Sequence, residues 1–148
     1  MAKKKISTQY AALPYVIRDG ELRILLITSR DTGRWIIPKG WPIKSISGSA
    51  VAATEAYEEA GVRGAVATVP FAEFDYLKRL SETKRKRCHV QVFPLRVTEE
   101  LDDWPEKSQR RREWVSPTEA AARVAEARLI ELLAALPAAP GALDPFGL

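Results

Sequence analysis

The chain has 148 residues, 46% hydrophobic and 28% charged, the size and mixture of one globular domain with a core of its own. Its single cysteine, Cys88, excludes a disulfide scaffold and a cysteine-based metal site, and no stretch reaches the ~18 apolar residues of a membrane span. Basic residues number 23 against 19 acids, a net of +4, and the excess lies ahead of residue 117, where 21 bases face 15 acids. Lys78, Arg79, Lys84, Arg85, Lys86 and Arg87 face only Glu82, and Arg110 to Arg112 form a second run, so a polyanionic ligand or a solubilising surface is indicated. An unpaired thiol, and a start in Met-Ala-Lys-Lys-Lys that leads into no apolar signal core, point to a cytoplasmic protein.

Residues 1–8, with three lysines, read as a flexible basic tail. Two apolar, β-rich runs, 10–17 and 22–28, are joined through Asp19-Gly20, a strong hairpin signal. A short run at 35–37 is stopped by Pro38 and followed by Lys39-Gly40. Residues 48–60 predict a helix, with Ser47 as N-cap and Gly61 as a left-handed C-cap. Strands are expected over 66–77 and 88–97, separated by a basic loop at 78–87, and Pro94 places the second at an edge or a bulge. A short strand at 112–115 precedes Ser116, Pro117 and Glu119, the N-cap, first helical position and capping-box acid of a helix running to about Leu136 with a break near 125–127. Residues 137–148 read as an irregular tail from which Phe146 and Leu148 can dock on the body. With neither repeat nor long linker, 1–148 is expected to be a single α/β (α+β) domain, strands surrounding one central helix and helices closing the chain.

The chemistry concentrates on the first helix. Glu55, Glu58 and Glu59 fall at i, i+3 and i+4, which puts three carboxylates on one face. Like charges at that spacing cost an isolated helix about 0.2–0.5 kcal/mol per pair. A bound hard cation reverses that sign, because Mg²⁺ takes oxygen ligands and pairs carboxylates with substrate phosphates. Three glutamates are also simply good helix formers, but the preceding bend Pro38-Lys39-Gly40 offers carbonyls that complete a metal shell. Gly40, five residues, Ile46, seven residues, then Thr54-Glu55-Ala56-Tyr57-Glu58-Glu59-Ala60-Gly61-Val62 resembles the box of the Nudix hydrolase family, departing from it where Ile46 stands for glutamate and Thr54 for arginine. The run from Arg34 to Gly40, Asp103-Trp104, and Arg110 to Trp114 resemble the diphosphoinositol polyphosphate and diadenosine polyphosphate hydrolase branch, over about residues 9–133.

The resemblance implies an αβα sandwich with a mixed central sheet, the box forming loop–helix–loop. It also implies a pyrophosphohydrolase that directs water at phosphorus with Mg²⁺ or Mn²⁺. By position, Glu55, Glu58 and Glu59 become catalytic residues and metal ligands together with the Lys39 carbonyl, and the base is Glu55 or a loop acid such as Glu99 or Glu100. Lys39, Lys84, Lys86, Arg87 and Arg110 become phosphate contacts, on a compact polyphosphate rather than a long nucleic acid. Trp104 and Trp114 read as base-stacking platforms or core, His89 as a structural histidine and Cys88 as a small core residue. The family's box arginine ion-pairs to hold a metal-binding glutamate, so Thr54 weakens the expected preorganisation and predicts retained metal binding with reduced or re-tuned activity. Removal of pyrophosphate from RNA 5′ ends, and nucleotide sensing without turnover, are the alternatives the same residues leave open.

Overall fold

A computed structural model describes residues 6–144. Phe146, Leu148 and the first five residues lie outside the described residues. β1 (Ser7–Arg18) and β2 (Glu21–Thr28) form the expected antiparallel hairpin. Its turn holds Asp19 at φ 52° and Gly20 at φ 77°, the paired positive values of a type I′ turn, which aspartate tolerates and glycine adopts freely. β3 (Trp35–Ile36), β4 (Lys39–Gly40), α1 (Gly48–Ala60), β5 (Val62–Val66), β6 (Ala72–Arg79), β7 (Arg85–Glu100), β8 (Arg112–Val115), α2 (Pro117–Arg123) and α3 (Ala127–Ala135) follow. All eight strands join one mixed sheet. β1 runs parallel to β7 and antiparallel to β2, β3 and β8 extend β2, β5 and β6 pair with successive parts of β7, and β4 pairs with β1.

Both faces of the sheet are covered, which is why its inner strands read as continuous apolar runs rather than as alternation. On one face Ala12, Leu25, Ile27, Phe93 and Leu95 meet Ala52, Ala56 and Ala60 of α1, whose small side chains let the helix sit close. On the other, Leu13, Ile24, Leu26, Val90 and Val92 meet Leu129 and Leu133 of α3 with Leu136 and Leu143 beyond it. Asp144 is buried there, accepting the Tyr15 hydroxyl and facing Arg96. Cys88 is fully buried in the sheet. No helix among the described residues is long and apolar enough to cross a membrane.

Three local expectations change. The run 66–77 is two strands, β5 and β6, which leave β7 between them at residues 67–71. The basic segment 78–87 is mostly the end of a β6–β7 hairpin, with Arg79 opposite Arg85, so only 80–84 form a loop. Pro94 lies in an inner strand instead of at an edge. Its carbonyl accepts from Ala67, so its missing N–H faces the gap where β5 gives way to β6 and no ladder bond is lost.

The exposed face of this hairpin carries His89, the only histidine, between Asp75 and Glu73. Donation to the Asp75 carboxylate, then to that of Glu73, raises the imidazole pKa above its usual value. Histidine therefore contributes stability that is complete below pH ~6.5 and fades as pH rises through its folded pKa. NMR titration of this single imidazole is expected to give a midpoint above ~6.5. Asp75→Asn is expected to lower the midpoint, and an identical curve in the variant contradicts the assignment.

Candidate active site

Local chemistry fixes α1. The Ser47 hydroxyl accepts from the Ala50 N–H, and Gly61, at φ 67°, donates to the Ala56 and Tyr57 carbonyls. The helix end is then gripped from outside. The Trp104 indole donates to the Glu59 carbonyl, and Arg112 donates to the carbonyls of Ala60, Gly61 and Leu101 while stacking 4.0 Å from the Trp104 ring centroid. Trp104 is thus a helix-end support rather than a stacking platform. Trp114, held by Glu100 with Arg18 over its ring, lies outside the cleft described below.

A cleft of about 1050 Å³ opens beside α1, lined by Lys39, Gly40, Glu55, Glu59 and Arg110 among the residues singled out from the sequence. Gly40 is what lets Glu55 in: a Cβ there would sit 2.4 Å from the Glu55 Oε1. Ala12 donates to the Pro38 carbonyl, and antiparallel residues alternate, so Lys39 turns its own carbonyl away from β1. Glu59 is buried, with its carboxylate 3.2 Å from the Arg110 guanidinium and hydrogen-bonded to Glu55. Burial, then the Glu55 hydrogen bond, hold the Glu59 carboxyl well above the usual carboxylate range, and Arg110 opposes them. Burial also lowers the Lys39 ammonium pKa, against the pull of Glu126 and Glu59.

Glu58 does not line the cleft. Burial first, then Glu55 and Glu106, raise its pKa. Among the described residues no three His, Cys, Asp or Glu side chains converge on one metal-sized point. The donors that do fit a hard divalent cation are the Glu55 and Glu59 carboxylates, close enough to share a proton, with the outward carbonyl of Lys39 beside the Gly40 cradle.

The expected phosphate contacts divide. Lys39 and Arg110 line the cleft, but Arg110 is 7% exposed and is spent on Glu59, Glu106 and the Thr28 carbonyl. Lys86 does not line the cleft itself, but its ammonium lies 5.7 Å from the ring centroid of Trp41, which does. Lys84 turns the hairpin loop, and Arg87 pairs with Asp75; neither lines the cleft. Glu99 and Glu100 face Arg63, Arg112 and Arg18, also outside it.

Sequence reasoning did not bring Glu106, Glu126 or Trp41 to the cleft, and it named Lys78 and Arg79 only as part of the basic cluster, not as residues of the site. Glu126 Oε2 is buried without a hydrogen-bond partner. Its sequence signal was faint, an acid at the break between α2 and α3. Trp41, 41% exposed directly after Gly40, was the more legible of them.

Comparison with known proteins matches this arrangement. The NUDIX domain model matches residues 8–136. Nudix hydrolase 12, mitochondrial, of Arabidopsis thaliana is 33% identical over 103 residues, covering 68% of this chain and 51% of that protein. Diphosphoinositol polyphosphate phosphohydrolase 3-alpha of Mus musculus is 36% identical over 95 residues, covering 62% of this chain and 52% of that protein. The chain spans about half the length of the curated relatives it matches. In fold it is similar to C. elegans Ap4A hydrolase, with TM-score 0.62 and 18% identity over 90% of this chain and 98% of that one. The NUDIX domain of Shewanella oneidensis NrtR, solved with ADP ribose, gives TM-score 0.67 and 12% identity over 89% of this chain and 86% of that one. With the sheet, the box helix and nearly the whole chain accounted for in this way, the protein belongs to the Nudix family, whose members generally use divalent metal ions.

Proposed function

We propose that the protein is a metal-dependent pyrophosphohydrolase that cleaves a phosphoanhydride bond in a dinucleoside polyphosphate. The observation that carries this is the Glu55–Glu59 carboxylate pair with the outward Lys39 carbonyl, set in a cleft whose rim is basic and holds an exposed tryptophan. Mg²⁺ or Mn²⁺, held by those oxygens, would supply neutralisation of phosphate charge and a lowered water pKa. Lys78, Arg79 and Lys86 on the hairpin would bind and orient the outer phosphates, arginine as a fork and lysine as a point charge. Glu126, an acceptor with no donor, and Glu55 are the acids suited to take the proton from the attacking water; Glu99 and Glu100 lie outside the cleft. Ile46 removes a carboxylate from the box and Thr54 removes the guanidinium that would pair with its metal-binding glutamate, so we expect metal binding to be retained and activity to be reduced or re-tuned. The free, buried Cys88 supports a reducing compartment, for which we propose the cytoplasm; the Arabidopsis relative carries a mitochondrial name.

Trp41 favours the dinucleotide over a diphosphoinositol polyphosphate. Its face stacks on a planar base, whereas an inositol ring is puckered and carries phosphates all round, so it gains nothing from an indole. Stacking on aromatic side chains is worth about 1–3 kcal/mol per base. Trp41→Ala is therefore expected to raise KM for diadenosine tetraphosphate about 5- to 150-fold, with kcat nearly unchanged and inositol pyrophosphate cleavage unaffected. Preferential turnover of the inositol pyrophosphate, or an equal effect of Trp41→Ala on both substrates, contradicts the assignment.

A further inference from the structure

We propose that Arg110 is the positioning residue for Glu59, supplying from the β7–β8 connection the cation that α1 itself lacks. The inference rests on the metal-dependent reading above and concerns how its ligand is held. α1 has no basic residue in its last turn. Thr54, one turn before Glu58, spends its hydroxyl on the Ala50 carbonyl and carries no charge. Glu59 is nonetheless buried, and a buried carboxylate without a counter-charge is costly. The Arg110 guanidinium meets it at 3.2 Å, with the two side chains 7% and 6% exposed.

The other contacts of Arg110 show that it is a fixed strut. Its Nε and Nη2 both lie 3.0 Å from the Glu106 carboxylate, and its Nη1 donates to the Thr28 carbonyl at 3.0 Å. Next to it, the Arg111 N–H donates to the Thr28 hydroxyl and the Thr28 N–H to the Arg111 carbonyl, so β2 clamps the backbone from which the side chain projects. A guanidinium whose three nitrogens are all engaged has little freedom left to follow a substrate phosphate. Its effect on the site passes through the Glu59 oxygen it touches. Arg110 holds that carboxylate in position, as an outer partner does for a metal ligand.

The test is a double-mutant cycle on the full chain, reading Mn²⁺ affinity by electron paramagnetic resonance without substrate, alongside kcat and KM. Arg110→Met is expected to weaken Mn²⁺ binding 10- to 100-fold in the wild-type background but less than about 3-fold in Glu59→Gln, because outer partners act through their ligand. Arg110→Lys, which keeps the charge but not the fork, is expected to fall between, and it carries the cycle if Arg110→Met fails to fold. In the metal-saturated enzyme kcat falls while KM is little changed. Unchanged Mn²⁺ affinity, equal losses in both backgrounds, or an effect confined to KM overturns the inference and returns Arg110 to phosphate contact or plain structure. Failure of the wild-type chain to bind Mn²⁺ at all overturns instead the reading on which it rests.

Discussion

Glu59→Gln is expected to abolish metal-dependent hydrolysis while leaving the fold intact. Loss of an outer-shell partner alone costs about 10- to 100-fold, so removing a ligand is expected to lower kcat/KM by at least about 10²-fold. Stability moves differently, and the sign follows from the direction of the pKa shift. The Glu59 carboxyl titrates well above 4.5 in the folded chain, chiefly through burial. A group raised in this way contributes stability that is complete below its unfolded pKa and is lost as pH rises through the folded one. Glutamine cannot ionise and suffers no such loss, while Arg110 keeps Glu106 and the Thr28 carbonyl. The variant is therefore expected to melt no lower than the wild type at neutral pH and to depend less on pH from about 4.5 upward. An inactive but unfolded Glu59→Gln removes this site argument.

The second large effect is on stability. Gly61→Ala puts a Cβ on a residue at φ 67°, 2.6 Å from the Trp104 ring and 2.7 Å from Arg112 Nη1. Left-handed backbone costs about 1–2 kcal/mol for an alanine, and forcing atoms into a packed site costs about 1–3 kcal/mol more. Trp104 and Arg112 cannot retreat freely, because they hold the carbonyls of Glu59, Ala60, Gly61 and Leu101. A loss of about 2–5 kcal/mol, or about 5–20 °C in Tm, is expected in a calorimetric scan. A variant melting with the wild type contradicts the account of how the helix end is held.

The legible parts of this chain are those set by neighbours in sequence. The Asp19-Gly20 turn, the Ser47 and Gly61 caps of α1 and the Ser116-Pro117 start of α2 all follow from one or two residues, and the structure has each of them. The β6–β7 hairpin was hidden by the same local rules. Lys78 opposes Lys86 and Arg79 opposes Arg85, cross-strand pairs that disfavour a strand on their own terms. Pairing with the long β7 overrides that cost, and the Trp41 ring accepts both lysine ammoniums. In the cleft, Glu55 and Glu59 were readable because a helix period places them. Arg110 was readable as a cation but not as the partner of Glu59, 51 positions away, which only the packing of β8 beside β2 could reveal. Glu126 reaches the same cleft from the break between α2 and α3, where no periodicity marks it.

The central claim is that the carboxylates of α1 hold a divalent ion against a bound polyphosphate. Its most direct test is chromatographic detection of the mononucleotide products of diadenosine tetraphosphate, with Mg²⁺ or Mn²⁺ and with EDTA, for the wild type and Glu59→Gln. Products that appear only with metal and only in the wild type are the predicted result; equal turnover in EDTA, or tight nucleotide binding with no products under any metal, contradicts the claim.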